Sequence, residues 1–316
     1  LARTVRISSE GDMRHLLRFW LFSLLLLAGL LLAPRAHAEL RVVTTTPDLA
    51  AITRAVSAGR VAVTSLALPS QDPHFVDARP HLALELSKAD LLILVGADLE
   101  LGWLPTLVTG SRNGKIQSGA KGYLDASTLV DLLEVPAGKV DRSQGDIHPQ
   151  GSPHYLLDPR RAEKVAVGIG KKLAELDPAG HDAYLAATKA FVTSLRSERA
   201  AIEKKLERLR GRPIVGYHRS LAYLADWLGL VVVDHLEPKP GIPPNPRHVA
   251  QVVDLARARK VACLLQEAWW PTSTSAPAAE KIGVPLIVIP GMTNFPAGQT
   301  YTGFLGAIAA KLEKVP

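Results

Sequence analysis

Short apolar runs alternate with amphipathic stretches along most of this chain. Leu40-Arg41-Val42-Val43-Thr44-Thr45-Thr46 predicts a strand, and Pro47-Asp48 opens a helix to about Ala58. Val61–Leu68 predicts a second strand, followed by a loop ending at His74 and a helix around Pro80–Lys88. Leu91-Leu92-Ile93-Leu94-Val95-Gly96 is apolar without alternation, as expected of a parallel strand covered on both faces. A helix including Trp103–Val108 follows, then a polar loop over Pro136–Ser152. Asp158-Pro159 has the chemistry of an N-cap and first helical residue, predicting a helix to about Leu176.

From His181 to Leu209 almost no breaker occurs, and Tyr184, Phe191, Leu195, Ile202 and Leu206 recur near helical spacing. A helix of that length spans roughly 45 Å. It suits a stiff bridge between domains; the apolar positions do not keep the strict heptad of a coiled-coil arm. The alternation then resumes with strands at Pro213–Tyr217, Val231–Asp234, Val261–Gln266 and Pro285–Ile289. Helices are predicted over Leu221–Leu228, Arg247–Arg259 and after Tyr301, with a Pro-rich loop at Glu237–Pro246. The fold class is therefore α/β: two small parallel-sheet lobes with flanking helices, joined by one long rigid helix. The expected division is 39–178 for the N-terminal lobe, 179–210 for the linking helix and 211–316 for the C-terminal lobe.

The first 38 residues stand apart. Met13–Arg18 is basic, Phe19–Ala33 is apolar, and Ala36-His37-Ala38 is a small-x-small site. Together they read as a secretory signal peptide with an upstream extension, cleaved after Ala38, which places the mature protein in the periplasm. No cysteine lies near that site for lipid attachment. The lone Cys263 precludes an intrachain disulfide and reads as a buried, inert thiol. The whole chain carries +7; without residues 1–38 it has 32 basic and 28 acidic side chains, net +4. With no basic cluster, nucleic acid is not an expected partner.

Candidate chemistry lies where α/β sheets bind ligands, beyond the carboxyl ends of strands. His74 follows the second strand, His218 the strand Pro213–Tyr217, and Glu267 the strand Val261–Gln266. His154 sits in the turn Gly151-Ser152-Pro153-His154, just before a helix. If the strand ends face one another, these four groups converge between the lobes. Three imidazoles suit zinc, commonly four-coordinate, better than manganese, which favours oxygen. His235 also follows a strand and competes; His148 is an auxiliary candidate; His81, His181 and His248 fall on helices as surface histidines do. A hydrolytic zinc site with Glu267 as general base is the alternative of another class, although neither His-Glu-x-x-His nor Gly-x-Ser-x-Gly occurs. A receptor for an organic solute is a third.

Several motifs occur in order: Asp72-Pro73-His74 with Arg79-Pro80, Gly151-Ser152-Pro153-His154-Tyr155 with Leu157-Asp158-Pro159, and Tyr217-His218 with Tyr223 and Trp227-Leu228-Gly229-Leu230. In these the chain resembles the zinc/manganese solute-binding proteins of bacterial ABC transporters, the cluster A-I family, over nearly all its mature length. The resemblance implies a monomeric two-lobed receptor, not an enzyme, that holds its metal between the lobes and delivers it to a membrane ABC permease. It assigns metal ligation to His74, His154 and His218. A histidine at the third position is the zinc-type pattern, with manganese the alternative cargo. Where many members carry a C-terminal aspartate, Gln299 stands here, so Glu267, Gln299 or water is left as the fourth ligand. Trp269 and Trp270 are expected to wall the cleft or to serve interdomain packing. Arg79 and Asp158 are candidates to orient imidazoles, Asp158 more simply as a helix cap.

Overall fold

A computed structural model of the chain describes residues 19–20, 39–138, 140 and 145–316. Apart from Phe19 and Trp20, the expected leader lies outside the described residues, as does part of the Pro136–Ser152 loop. Leu40–Pro316 forms one compact unit.

The first sheet holds β1 (Leu40–Thr44), β2 (Val61–Ser65), β3 (Leu91–Leu94) and β4 (Tyr123–Asp125), all parallel, in the order β2-β1-β3-β4. Helices α1 (Pro47–Val56), α2 (Pro80–Ser87) and α3 (Leu104–Ser111) flank it. The second sheet repeats this plan: β5 (Pro213–Gly216), β6 (Val231–His235), β7 (Cys263–Glu267) and β8 (Leu286–Ile289) run parallel in the order β6-β5-β7-β8. Its helices are α6 (Ala222–Leu228), α7 (Pro246–Ala258) and α8 (Thr272–Ile282). Between the sheets run α4 (Pro159–Leu176) and the 25-residue α5 (His181–Lys205), and α9 (Tyr301–Leu312) ends the fold. β4 and α8 are additions to the elements expected from sequence.

The apolar runs are buried as their patterns require. All four residues of β3 are buried, as are all five of β7. Cys263 is fully buried in β7, and burial pushes its thiol up to about 12. Asp158 caps α4 by accepting from the Arg160 amide at 2.8 Å, with Pro159 in the first turn.

At 1.5 Å per residue α5 is about 37 Å long and runs from one lobe to the other. At its start the Tyr184 hydroxyl and Arg60 both reach Asp177; at its end Glu203 accepts from the Trp227 indole at 2.9 Å and Lys205 pairs with Glu313. It is not the sole connection. One apolar core runs continuously from Val42, Leu49 and Ile52, through Tyr184, Leu195 and Ile202, to Leu224, Trp227 and Phe304. Separating the lobes would expose this shared core, which makes wide hinge opening unfavourable.

A polar contact also crosses between the lobes. Asp48, in the first turn of α1, accepts from the Thr293 amide (2.7 Å) and the Thr293 hydroxyl, both beyond β8. Burial pushes the Asp48 carboxyl up to about 6, despite the two hydrogen bonds, which act to lower it. Its folded pKa thus exceeds its unfolded value of 3.8, so the folded state binds the extra proton and stability declines as pH rises from about 4 to 6. Asp48→Asn keeps an oxygen for Thr293 and removes the buried charge. We expect it to be more stable than wild type by about 2–3 kcal/mol above pH 7, with the gain vanishing near pH 4, in denaturant melts.

Candidate metal centre

Each sheet offers the site its switch point, where the chain order along the sheet reverses. In the second sheet, β5 and β7 lie side by side there; His218 follows β5 and Glu267 ends β7. In the first, β1 and β3 are neighbours, and the Val95–Trp103 turn leaves β3. His74 comes from the loop after β2, and its preceding carbonyl, Pro73 O, accepts from the Trp103 indole at 3.0 Å. His154 comes from the turn before α4. Gly151 has φ +113° there, and a Cβ would stand 2.8 Å from the Leu133 carbonyl, so only glycine fits without displacement.

The turn around His154 is held by three tyrosine hydroxyls. Tyr155 donates to Val95 O at 2.5 Å, Tyr223 to Ser152 O at 2.7 Å, and Tyr301 to Leu156 O at 2.6 Å. All three tyrosines are fully buried, and two come from beyond α5.

The three histidines meet. The ring centroids of His74 and His154 are 5.2 Å apart, of His74 and His218 5.4 Å, and of His154 and His218 5.6 Å. A fourth imidazole joins them. His148 Nε2 lies 3.3 Å from His74 Nε2, and ligand nitrogens of His74, His148 and His154 all fall within 4.8 Å of one another. Two clefts, of about 300 and 530 Å³, flank His148; His154 and His218 open to the first, His74 to the second.

Two of the four rings are oriented through hydrogen bonds to carboxylates. Asp72 Oδ1 lies 2.7 Å from His74 Nδ1 and also accepts the His74 amide at 3.0 Å. Glu237 Oε2 lies 2.6 Å from His218 Nδ1 and accepts the Gly241 amide at 3.1 Å. With Nδ1 of His74 and His218 engaged this way, their Nε2 atoms remain as donors to a cation, the arrangement common around metal-bound histidines.

Burial lowers the His148 pKa to about 3, with the positive charge of neighbouring histidines adding to the effect. The same two causes place His154 well below the ordinary histidine value. His218 goes the other way: burial would lower it, but the Glu237 carboxylate holds it up. The result is a cluster whose His148 and His154 are neutral at neutral pH, with lone pairs free to bind a cation.

Glu267 is 1% exposed, and burial raises its carboxyl against the hydrogen bond from the Ser220 hydroxyl to Oε1. Like His218, it lies outside the group of ligand atoms within 4.8 Å; it shares with His154 the wall of a cavity of about 40 Å³. Gln299 is used elsewhere, its side-chain oxygen accepting the Asn294 amide at 2.7 Å. Arg79 pairs with Asp77 on the surface, and Asp158 with Arg160 and Arg161, so neither orients an imidazole; that work belongs to Asp72 and Glu237. His235 packs beneath Gly216 and takes a bond at its carbonyl from His248, away from the cluster. Trp270 lies 5.3 Å from His218 and stacks on Tyr217 at 5.0 Å, walling the site, whereas Trp269 packs against Gly291 and the core of the first lobe.

Comparison with known proteins agrees with this layout. Residues 42–315 match the family model described as zinc-uptake complex component A, periplasmic, or ZnuA. The chain belongs to this family. It is 26% identical over 264 residues to the high-affinity zinc uptake system protein ZnuA of Yersinia pestis, covering 78% of this chain and 82% of that one. It is 30% identical over 164 residues to the manganese ABC transporter substrate-binding lipoprotein PsaA of Streptococcus pneumoniae, covering 50% of this chain and 48% of that one. The first streptococcal match, the lipoprotein ScbA of Streptococcus cristatus, is likewise spanned over only 53% of its length. A crystal structure of ZnuA superposes with TM-score 0.74 at 24% identity, covering 88% of this chain and 99% of that one. A periplasmic metal-binding protein from Candidatus Liberibacter asiaticus gives 0.72 at 19%, covering 88% and 99%. These likenesses establish two parallel-sheet lobes with flanking helices.

In metal-free protein the unfolded chain protonates His154 near its ordinary value of 6.5, whereas the folded protein does not. Its burial thus lowers stability increasingly as pH falls below 6.5. The buried carboxyl of Glu100, which burial raises to about 7, and that of Asp48 titrate in the opposite sense, so a difference between proteins isolates the effect. His154→Asn should gain on wild type by about 1 kcal/mol per pH unit between pH 6.5 and 5, read from denaturant melts of chelator-stripped protein.

Proposed function

We propose that this protein is a periplasmic receptor that captures zinc in the cleft between its lobes and delivers it to a membrane ABC permease. Membership of a zinc-uptake family supports the class of function. The observation that carries the choice of metal is the donor set: four imidazoles converge, three with nitrogens inside 4.8 Å, and no carboxylate joins that group among the described residues. Nitrogen donors in fourfold number match zinc, whereas manganese favours more oxygen. In this reading His74, His148, His154 and His218 are the ligands. Glu267 supplies negative charge beside His218 rather than a bond to the metal.

The same geometry favours a carrier over a hydrolase. Hydrolytic zinc sites commonly keep three protein ligands and leave one position for water. Here the fourth imidazole takes that position, and Glu267, the general base a hydrolase would use, has one oxygen tied to Ser220.

Binding dication to this cluster displaces the proton that Glu237 favours on His218. Glu237 has two effects: it orients the ring, which aids metal, and holds a proton, which competes. Glu237→Gln should therefore weaken zinc about 10–100-fold at pH 8, with a smaller loss at pH 6, where wild-type His218 carries its proton. His218→Ala should lose at least that much affinity at every pH. Competition titrations of stripped protein against a chromogenic chelator read both. Wild type preferring manganese to zinc would reject the choice of metal, and stoichiometric zinc binding by His218→Ala would reject the site.

A further inference from the structure

Asp72 and Glu237 each orient one imidazole of the cluster, whereas His154 makes no such carboxylate contact among the described residues. The tyrosine hydroxyls hold the backbone around His154 and leave its ring free to turn. That ring borders two spaces. One is the cleft of about 300 Å³ that it shares with His148 and His218; the other is the cavity of about 40 Å³ that it shares with Glu267. One His154 nitrogen lies within 4.8 Å of nitrogens of His74 and His148. The two nitrogens of an imidazole point apart, so a ring that gives one to the cluster turns the other elsewhere.

The small cavity lies between the lobes, and three residues of its wall share a property. Thr46 Oγ1, just after β1, Glu267 Oε2, at the end of β7, and Trp269 Nε1 are all buried and have no hydrogen-bond partner among the described residues. Thr46 is 3% exposed and Glu267 1%. The Ser220 hydroxyl occupies Glu267 Oε1, which leaves Oε2 to the cavity side. Thr46 stands at the N-cap of α1 without spending its hydroxyl on the cap. Folded proteins satisfy nearly all such atoms, in part with internal water. A buried water needs roughly 10–15 Å³ and two to four polar partners, and this cavity offers both.

The types of donor and acceptor favour water over a cation. Glu267 Oε2 accepts and a hydroxyl does either, but the Trp269 indole only donates. A cation would meet the indole N–H unfavourably, whereas water accepts from it.

We propose that a water in this cavity joins Glu267 to the ring of His154, making Glu267 the positioning carboxylate of that histidine. The water accepts from the Trp269 and His154 ring N–H groups and donates to Glu267 Oε2 and Thr46 Oγ1, which fills its four positions. His154 thereby keeps its proton on the cavity side and its lone pair on the side of the cluster. Asp72 and Glu237 act on their rings directly; Glu267 acts through one water. Only the consequence for affinity rests on the zinc-receptor reading above.

Crystals of zinc-free protein should show a water within about 3.2 Å of both Glu267 Oε2 and a His154 ring nitrogen. Nitrogen-15 NMR of the histidine rings at pH 8 should find His154 in one neutral tautomer. Glu267→Gln keeps an oxygen for Ser220 and turns an N–H₂ group toward the water. The water then receives two N–H groups and has no lone pair left for His154. The two His154 nitrogen shifts should converge as the tautomers mix, with those of His74 unchanged. Zinc affinity should fall about tenfold in competition titrations, the scale of losing such a partner. Thr46→Val removes one partner of the water at nearly constant shape. It should move the His154 shifts the same way and weaken zinc about threefold, the scale of one neutral hydrogen bond. It decides the matter if Glu267→Gln fails to fold. A cavity holding no water, or one holding a cation, overturns the proposal, as do His154 shifts that neither substitution moves.

The crystal and NMR readouts need no metal. If wild type fails to bind zinc while the water and the tautomer behave as stated, the receptor reading fails and the positioning stands. If wild type binds zinc and the tautomer is the same in the variants, the positioning fails alone.

Discussion

Three tyrosine hydroxyls bound to the carbonyls of Val95, Ser152 and Leu156 are the constraint on which the candidate site depends. His154 has no secondary structure of its own, and its ring sits among other imidazoles that repel it when charged. What keeps it there is backbone, held by phenols from three parts of the chain. A buried tyrosine with a satisfied hydroxyl combines a large apolar contact with one directed bond. Tyr223 and Tyr301 belong to the second lobe, so the turn bearing His154 is fixed to both halves. The interlobe cleft and the shared core are thus parts of one arrangement: the lobes pack closely enough for each to set the backbone that carries the other's histidines.

Most of the fold was legible because its strands are short, apolar and buried on both faces, and helix starts carry proline. Two elements were not. Tyr123-Leu124-Asp125 pairs with β3 alone and is too short to show a pattern. The helix Thr272–Ile282 begins Thr-Ser-Thr-Ser and contains Pro277, a composition that reads as loop; packing of Ala278 and Ala279 into the second lobe overrides it. The repeat of strand order in the two sheets was invisible in residue identities, since it is conserved in topology and not in side chains.

At the candidate site, the convergence of His74, His154 and His218 was readable from their places at strand ends and before a helix, and from the motifs around them. The rank of His148 was not, because it arrives on a polar loop with no strand end or helix start to mark it. Glu237 lay hidden as the first residue of a Pro-rich loop, and Asp72 as part of a motif whose histidine drew attention. Arg79 and Asp158 looked suitable by proximity in sequence. Each found a closer partner, Asp77 for one and two arginines for the other, which is how charged side chains near a site are commonly neutralised.

The buried thiol of Cys263 has a consequence for the zinc receptor proposed above. A thiolate is the ligand that zinc and softer metals seek most strongly, and it is also the form that oxidants attack. With burial pushing its pKa up to about 12, Cys263 stays a protonated thiol at pH 7. It sits within β7, whose end carries Glu267 at the edge of the candidate site, yet it offers a cation there no competing trap and an oxidant no handle. The chain keeps a sulfur where the core needs a small apolar group, and its chemistry is silenced by the packing around it.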